Sequence, residues 1–143
     1  MNQQFELSLI QEELKIISNS SDLFRERIDF LIQKFYNNFL QTRAGSLFYF
    51  INMENQFNSF GSSIRMIFLF LEEPDKVINK MDSLIVSHSH LKMKLEYIDE
   101  FTSSLLLAFK EIYSNFLADD IITSYTKIIF VLMNHFKDAL PFI

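Results

Sequence analysis

The chain has 143 residues, which is enough for one domain with a sizeable core, and we predict a single domain over residues 1–143. Its net charge of −5 argues against a nucleic-acid partner, because binding DNA or RNA requires a basic face. The chain contains no cysteine, which excludes disulfides, thiolate metal sites and cysteine catalysis. No apolar run approaches the roughly 20 residues of a membrane span. We therefore expect a cytoplasmic protein without a membrane span.

Only two glycines and two prolines interrupt the chain, which predicts long helices joined by short connections. Apolar residues recur at the spacing of an amphipathic helix along six segments. We predict helices over about 7–17, from the polar break at 19–22 to Leu40, and over about 55–72, 77–91, 95–116 and 119–140, with a short helical turn at 47–50. The predicted fold class is therefore all-α.

Phenylalanine is unusually frequent, with 17 residues, whereas tryptophan is absent. Phe supplies a large flat apolar area and has no polar atom that needs a hydrogen-bond partner. An all-α chain of this composition has either an aromatic core or an apolar cavity walled by rings. Composition alone leaves both interpretations open.

Three residues stand at spacings that are typical of a known family. Tyr36 lies in the second long helix, Phe50 follows fourteen residues later, and His88 follows Leu84 by four residues. Together with the order and lengths of the helices, this arrangement resembles bacterial globins, with which the last two helices align without a gap. The resemblance implies a globin-like fold in which Tyr36 points into the distal pocket, Phe50 packs on the haem face and His88 binds iron.

The middle of the chain departs from a haem globin. The stretch 50–88 is a few residues short, and the proline that usually follows the second helix is missing. Phe57, Phe60 and Phe68 crowd the side where a haem globin keeps a compact polar residue, for which Gln56 is the only candidate. From these departures we expect that the chain does not bind haem stoichiometrically.

Arg65 is the most unusual residue of this region. It stands between Ile64 and Met66 in the most apolar of the predicted helices, and a helix that is apolar on all sides is typically buried. Burying an unpaired guanidinium is strongly unfavourable. The side chain of Arg65 is therefore expected either to meet an anion or to reach solvent.

These departures resemble the non-haem, globin-like sensor domains of bacterial sporulation-control proteins. Members of that family stand at the N-terminus of sensor histidine kinases or occur alone, and the stand-alone forms are thought to titrate the kinase's signal and so inhibit sporulation. The resemblance implies a homodimer that holds a fatty acid in an apolar tunnel, where the carboxylate meets an arginine and a chloride ion. Because the chain ends at Ile143 without a kinase region, we expect a stand-alone member.

The predicted ligand site follows from this second resemblance. Arg65 is the first candidate for the carboxylate partner and Arg43 the second, because a guanidinium makes charge-assisted contacts with a carboxylate. The other predicted ligand-binding residues line the tunnel: Tyr36, Phe50, Phe57, Phe60, Ile64, Phe68, Leu84 and His88. We expect the homodimer to form through the last two helices, where Leu107 adds a second apolar face.

Two other functions remain open. One is a haem globin that binds or senses a diatomic gas through His88, and the other is an interaction module without a ligand. A zinc site at His88 and His90 is disfavoured, since residues two apart on a helix point roughly 200° away from each other. No phosphate-binding loop or nucleophile motif occurs, so we predict no enzymatic activity, no catalytic residues and no metal site. His135 is interpreted as a favourable charge near the end of the last helix.

Overall fold

The computed structural model describes residues 7–46, 53–69, 73–88 and 94–139, and almost all of them are helical. No strand occurs within these ranges, so the predicted all-α class is confirmed for them. They contain eight α-helices: α1 (Leu7–Ile17), α2 (Ser21–Glu26), α3 (Ile28–Leu40), α4 (Arg43–Ser46), α5 (Met53–Leu69), α6 (Pro74–His88), α7 (Leu95–Tyr113) and α8 (Asp119–Ala139). None of these helices combines the length and the apolar content needed to cross a membrane.

The predicted second helix is interrupted at Arg27, which separates α2 from α3. Arg27 has φ −116° and ψ 5°, outside helical geometry. The carbonyl oxygen of Phe24 accepts the Arg27 N–H at 3.2 Å and the Tyr113 hydroxyl at 2.7 Å, so two donors share it where the chain turns. Regular bonding resumes when the Leu31 N–H donates to the Arg27 carbonyl at 3.0 Å. The prediction of one continuous helix is therefore wrong at this point.

The short helix α4 forms where the sequence indicated only the end of the preceding helix. Thr42 Oγ1 donates to the Phe39 carbonyl at 2.6 Å and accepts the Gly45 N–H at 2.9 Å, which caps α4. The Ala44 N–H donates to Glu100 Oε2 of α7 at 2.9 Å and fastens α4 to that helix. Glycine is required at Gly45 because a Cβ there would overlap the carbonyl oxygen of Phe39.

The other helix boundaries lie close to the predicted ones. α5 begins two residues earlier than predicted and α6 three residues earlier, at Pro74, whose fixed φ and missing N–H suit the first turn of a helix. α7 ends at Tyr113, three residues early, because the N–H groups of Phe116 and Leu117 turn back to the Tyr113 carbonyl at 2.9 and 3.0 Å. The turn predicted at 47–50, and the predicted last residues of the third, fourth and last helices, lie outside the described residues.

The helices pack in pairs around α7 and α8. The most extensive contacts place α3 along α7 and α1 along α8, while α5 lies against α3 and α6 lies against both α5 and α8. Gly61 permits the close approach of α5 to α3, since a Cβ there would lie only 3.3 Å from Ile32 Cγ2. An ion pair between Lys34 and Glu111, with a nitrogen–oxygen distance of 2.9 Å, joins α3 to α7 at the surface.

Aromatic rings fill the core where α2, α5, α7 and α8 meet. The ring centroid of Phe24 lies 4.9 Å from that of Tyr113, 4.8 Å from Tyr125, 5.5 Å from Phe68 and 6.2 Å from Phe109. We refer to these five residues as the Phe24 cluster. Burial raises the pKa of the Tyr113 hydroxyl, which therefore stays protonated and donates to the Phe24 carbonyl.

A second polar contact ties α1 to α8. Lys127 Nζ lies 2.7 Å from Glu13 Oε1, and the Glu13 side chain is only 9% exposed. The hydrogen bond from Lys127 lowers the pKa of the Glu13 carboxyl although burial acts in the opposite direction. The pair therefore stabilises the fold at neutral pH, and this contribution is lost as acid protonates the carboxylate.

Replacing Tyr113 with Phe keeps the ring and removes the hydroxyl that binds the Phe24 carbonyl. We expect Tyr113→Phe to lower the free energy of unfolding by about 1–3 kcal/mol, because a buried acceptor loses its strongest donor. Tyr97→Phe, the same change at a half-buried position of α7, is the control and should cost less than about 0.5 kcal/mol. Urea unfolding of the three proteins measures both differences, and equal losses in the two variants would contradict the role given to the Tyr113 hydroxyl.

Candidate functional site

The predicted pocket residues of α3 and the first half of α5 lie together. The ring of Tyr36 is buried, with its centroid 5.3 Å from that of Phe57 and 6.0 Å from that of Phe60. Phe60 in turn lies 5.9 Å from Phe101 of α7. We call this group the Tyr36 cluster, and it consists of Phe35, Tyr36, Phe39, Phe57, Phe60 and Phe101. Phe57, Phe60 and Phe101 are only half-buried, so this edge of the cluster reaches the surface.

The predicted residues further along α5 lie in a different part of the core. Ile64 is buried, and Phe68 stacks on Phe24 with the ring centroids 5.5 Å apart. Phe68 stands eight residues after Phe60, which corresponds to about 12 Å along the helix axis. The expected crowding beside Tyr36 therefore comes from Phe57 and Phe60, whereas Phe68 belongs to the Phe24 cluster.

Arg65 lies at the surface between α5 and α3. Its guanidinium forms an ion pair with the carboxylate of Asp29, and the two side chains are 43% and 75% exposed. Both outcomes expected for Arg65 thus occur together, because the side chain reaches solvent and meets an anion there. The anion is a carboxylate of the same chain, so this geometry lends no support to Arg65 as the buried end of an apolar tunnel.

Arg43 and Phe50 are the predicted ligand-binding residues that remain. Arg43 is exposed on α4. Phe50 and His90 lie outside the described residues, and so does the side chain of Gln56. The contributions of Arg43 and Phe50 to a ligand site therefore stay predictions.

His88 is the last residue of α6, and its ring is oriented by its own helix. Nδ1 lies 2.7 Å from the carbonyl oxygen of Leu84 and 3.2 Å from the hydroxyl of Ser87, which itself donates to the same carbonyl at 2.9 Å. Because a carbonyl oxygen only accepts, Nδ1 carries the ring proton. In the neutral imidazole Nε2 then holds the lone pair, which is the form that binds a metal or accepts a hydrogen bond.

The ring of His88 is also held from α8. Phe136 lies 5.4 Å from it between ring centroids, with the planes at 76° in a T-shaped contact. Such pairs contribute about 0.5–1.5 kcal/mol beyond the area that they bury. Phe136 is buried, whereas His88 and Leu84 are half-buried, so the imidazole lies at the edge of the core. In the sequence, Phe136 is marked only by its helical spacing of four residues from Leu132.

His135 on α8 is buried, which corrects its interpretation as a charge near the end of the helix. It is 7% exposed, and its Nε2 lies 3.9 Å from Asp82 Oδ1 of α6. Burial lowers the pKa of His135, although Asp82 and Asp138 act in the opposite direction. His135 follows Leu132 by three residues and Ile128 by seven, so helical spacing alone places it on the buried stripe of α8.

The chemistry offered by the site is that of one imidazole beside apolar side chains. Within the described ranges, no group of three or more His, Asp and Glu side chains is placed to hold a metal ion. His88 presents a single ring nitrogen beside Phe136 and the half-buried Leu84, and α6 as a whole packs against α5, which carries further half-buried apolar residues. This combination suits a ligand with a large apolar body and one polar or metal centre.

The surface expected to form a dimer has apolar residues on both helices. Leu107 of α7 is 52% exposed and Phe130 of α8 is 47% exposed. Lys127 and Lys137 of α8 are paired with Glu13 and Asp99 of the same chain. The homodimer through α7 and α8 stays a prediction.

Comparison of the chain with family models, with curated proteins and with solved structures gives no match. Its function is therefore argued from the arrangement and chemistry of the residues themselves, since fold alone does not determine function.

Arg65 and Ile64 are neighbours with opposite environments, which a pair of substitutions separates. We expect Arg65→Gln to change the free energy of unfolding by less than about 1 kcal/mol, because exposed ion pairs contribute little. Ile64→Ala should cost about 2–5 kcal/mol, because it leaves a cavity in the core. Thermal unfolding followed by circular dichroism measures both. A loss in Arg65→Gln as large as that in Ile64→Ala would mean that the guanidinium is buried.

Proposed function

We propose that this chain is a globin-like domain that binds haem through His88. The proposal reverses the expectation that the chain does not bind haem stoichiometrically, because Phe68, one of the three rings on which that expectation rests, packs on Phe24 instead. The globin fold packs eight helices pairwise around the haem pocket, and eight helices pack in pairs within the described ranges, with α1 on α8 and α3 on α7. The position of His88 at the end of α6, the helix beside α5, agrees with the expected iron-binding position. The globin-like arrangement and the haem ligand are proposed together, because the same residues support both proposals.

The observation that carries the proposal is the 2.7 Å contact between His88 Nδ1 and the Leu84 carbonyl. Histidines that bind metals almost always donate the second ring N–H to a carbonyl, a carboxylate or water, which fixes the tautomer and makes the ligating nitrogen more basic. His88 has this arrangement already, with Nε2 as the ligating nitrogen. Haem iron in globins is held by a histidine of this kind and, when bound, binds diatomic gases.

The other residues of the proposed site have separate roles. Phe136 restrains the plane of the His88 ring through its T-shaped contact. The half-buried Phe57, Phe60 and Leu84 supply apolar surface. A large flat ligand that covered this surface would gain about 25 cal/mol of binding free energy for each Å² removed from water. Tyr36, whose ring packs against Phe57, would be the distal residue that the resemblance to bacterial globins implies.

A second candidate function keeps the apolar site and replaces haem with a fatty acid. It is favoured by the rings of Phe57 and Phe60, which lie against Tyr36 on the side where haem globins leave room for a polar residue. In this case the chain would be a non-haem sensor domain that titrates a signal away from a sporulation kinase, with chloride near the carboxylate. Because Arg65 is paired with Asp29 at the surface, Arg43, the second candidate, would be the cation that the carboxylate meets.

Titration with hemin separates the two candidates. We expect the wild type to form a saturable one-to-one complex with a Soret band, and His88→Ala to bind at least about tenfold more weakly, since a lost ligand interaction of 1.4 kcal/mol already gives that factor. Ser83→Ala is the matched control on α6, because Ser83 is exposed, five residues before His88, and its replacement should leave hemin binding as in the wild type.

The same proteins are then titrated with a fluorescent fatty-acid analogue. Fatty-acid binding without a Soret band would establish the second candidate and contradict the first. Hemin binding that is equal in His88→Ala and the wild type would show that His88 is not the ligand. Absence of binding in both titrations would contradict both candidates.

A further inference from the structure

α8 contacts α6 through two consecutive residues. His135 Nε2 lies 3.9 Å from Asp82 Oδ1, and the ring of Phe136 lies 5.4 Å from that of His88. Asp82 and His88 are six residues apart on α6, so the two contacts span about 9 Å of that helix. A change at His135 is therefore coupled, through one stretch of α6 and through its neighbour Phe136, to the imidazole of the candidate site.

The surroundings of His135 determine which protonation state the packed helices favour. Asp82 faces His135 from α6, and Asp138 lies near it on α8. Lys137, the nearest basic residue along α8, is held by Asp99 of α7 at 2.9 Å. Burial outweighs the two carboxylates and lowers the pKa of His135 below its ordinary value of about 6.5. The packed contact between α6 and α8 therefore favours neutral His135.

The sign of the pH dependence follows from this preference. A histidine whose pKa is lowered in the packed state stabilises that state above its ordinary pKa. When α6 and α8 are separated, His135 has its ordinary pKa of about 6.5, so this separated state takes up a proton first as the pH falls. Protonation therefore favours the separated state and weakens the packed contact between the two helices. Loosening of this contact withdraws Phe136 from His88, since Phe136 directly follows His135.

We propose that His135 links proton binding to ligand binding at His88, so that acid weakens the bound state by loosening α6 from α8. The inference rests on the proposed function, because the ligand concerned is the one that His88 binds. By reciprocity, ligand binding that strengthens the packed contact also disfavours protonation of His135.

The test is hemin affinity measured between about pH 5.5 and 8 for the wild type, His135→Gln and Asp82→Asn. Any other pH dependence of hemin binding is common to all three proteins, so the contribution of His135 is the difference between their profiles. We expect the wild type to lose at least about fivefold more affinity than His135→Gln between the ends of this range, which is the lower end of typical coupling between two sites. Asp82→Asn removes a group that favours protonated His135, so packing should lower the pKa of His135 further, and the additional loss should be larger and continue to lower pH.

A second measurement needs no variant. The pKa of His135 is followed by NMR in the wild type, free and with the diamagnetic zinc protoporphyrin, and it should fall when the ligand binds. An unchanged pKa, or parallel affinity profiles for the wild type and His135→Gln, would overturn the inference while leaving the proposed function intact. If hemin binds to none of the proteins at any pH, the proposed function is wrong and the inference falls with it.

Discussion

The hydrogen bond from the Tyr113 hydroxyl to the Phe24 carbonyl, 2.7 Å long and fully buried, fixes the geometry on which the other helices depend. It joins the end of α7 to the turn between α2 and α3, and it allows the ring of Phe24 to stack on that of Tyr113 at 4.9 Å. Once α2 is fixed in this way, α3 must begin at Ile28 and run along α7. A buried acceptor of this kind is costly to leave unpaired, so the contact specifies one arrangement of these helices.

The direction of α3 places the Tyr36 cluster between α3, α5 and α7, and it leaves α6 as a more peripheral helix. Val77 and Met81 of α6 are buried, whereas Leu84, Ile85 and His88 near its end are half-buried. A helix with few buried contacts opens more easily than the central pairs, and elements that take part in ligand binding are often drawn from such regions. The proposed site therefore lies on a helix that is held less firmly than the central pairs, and Phe136 of α8 supplies a contact to its His88.

The all-α class and most helix boundaries could be predicted from the sequence because each long helix carries its own apolar stripe. The break at Arg27 could not, because the apolar spacing of Phe24, Ile28 and Leu31 continues across it and the decisive partner, Tyr113, is 89 residues away from Phe24. Local patterns carry no information about a donor at that distance.

The candidate site is harder to predict from the sequence than the helices, for three physical reasons. Neighbours on a helix point about 100° apart, so the burial of Ile64 says nothing about Arg65, which reaches Asp29 at the surface. Interpreting His135 from its charge is misleading, because its position on the buried stripe of α8 already predicts that its side chain lies in the interior. The bond between His88 and Leu84 also needs coordinates, because the spacing of four residues permits it without requiring the rotamer that forms it.

The proposed haem binding depends on a ring proton at His88 Nδ1, which leaves Nε2 unprotonated. The most direct measurement is the tautomer of His88 in the ligand-free protein, read from the nitrogen-15 chemical shifts of the imidazole at about pH 8. We predict a protonated Nδ1 and an unprotonated Nε2, because the Leu84 carbonyl accepts from Nδ1 at 2.7 Å. A protonated Nε2 with an unprotonated Nδ1 would contradict the account, since the nitrogen reserved for the ligand would then carry the proton.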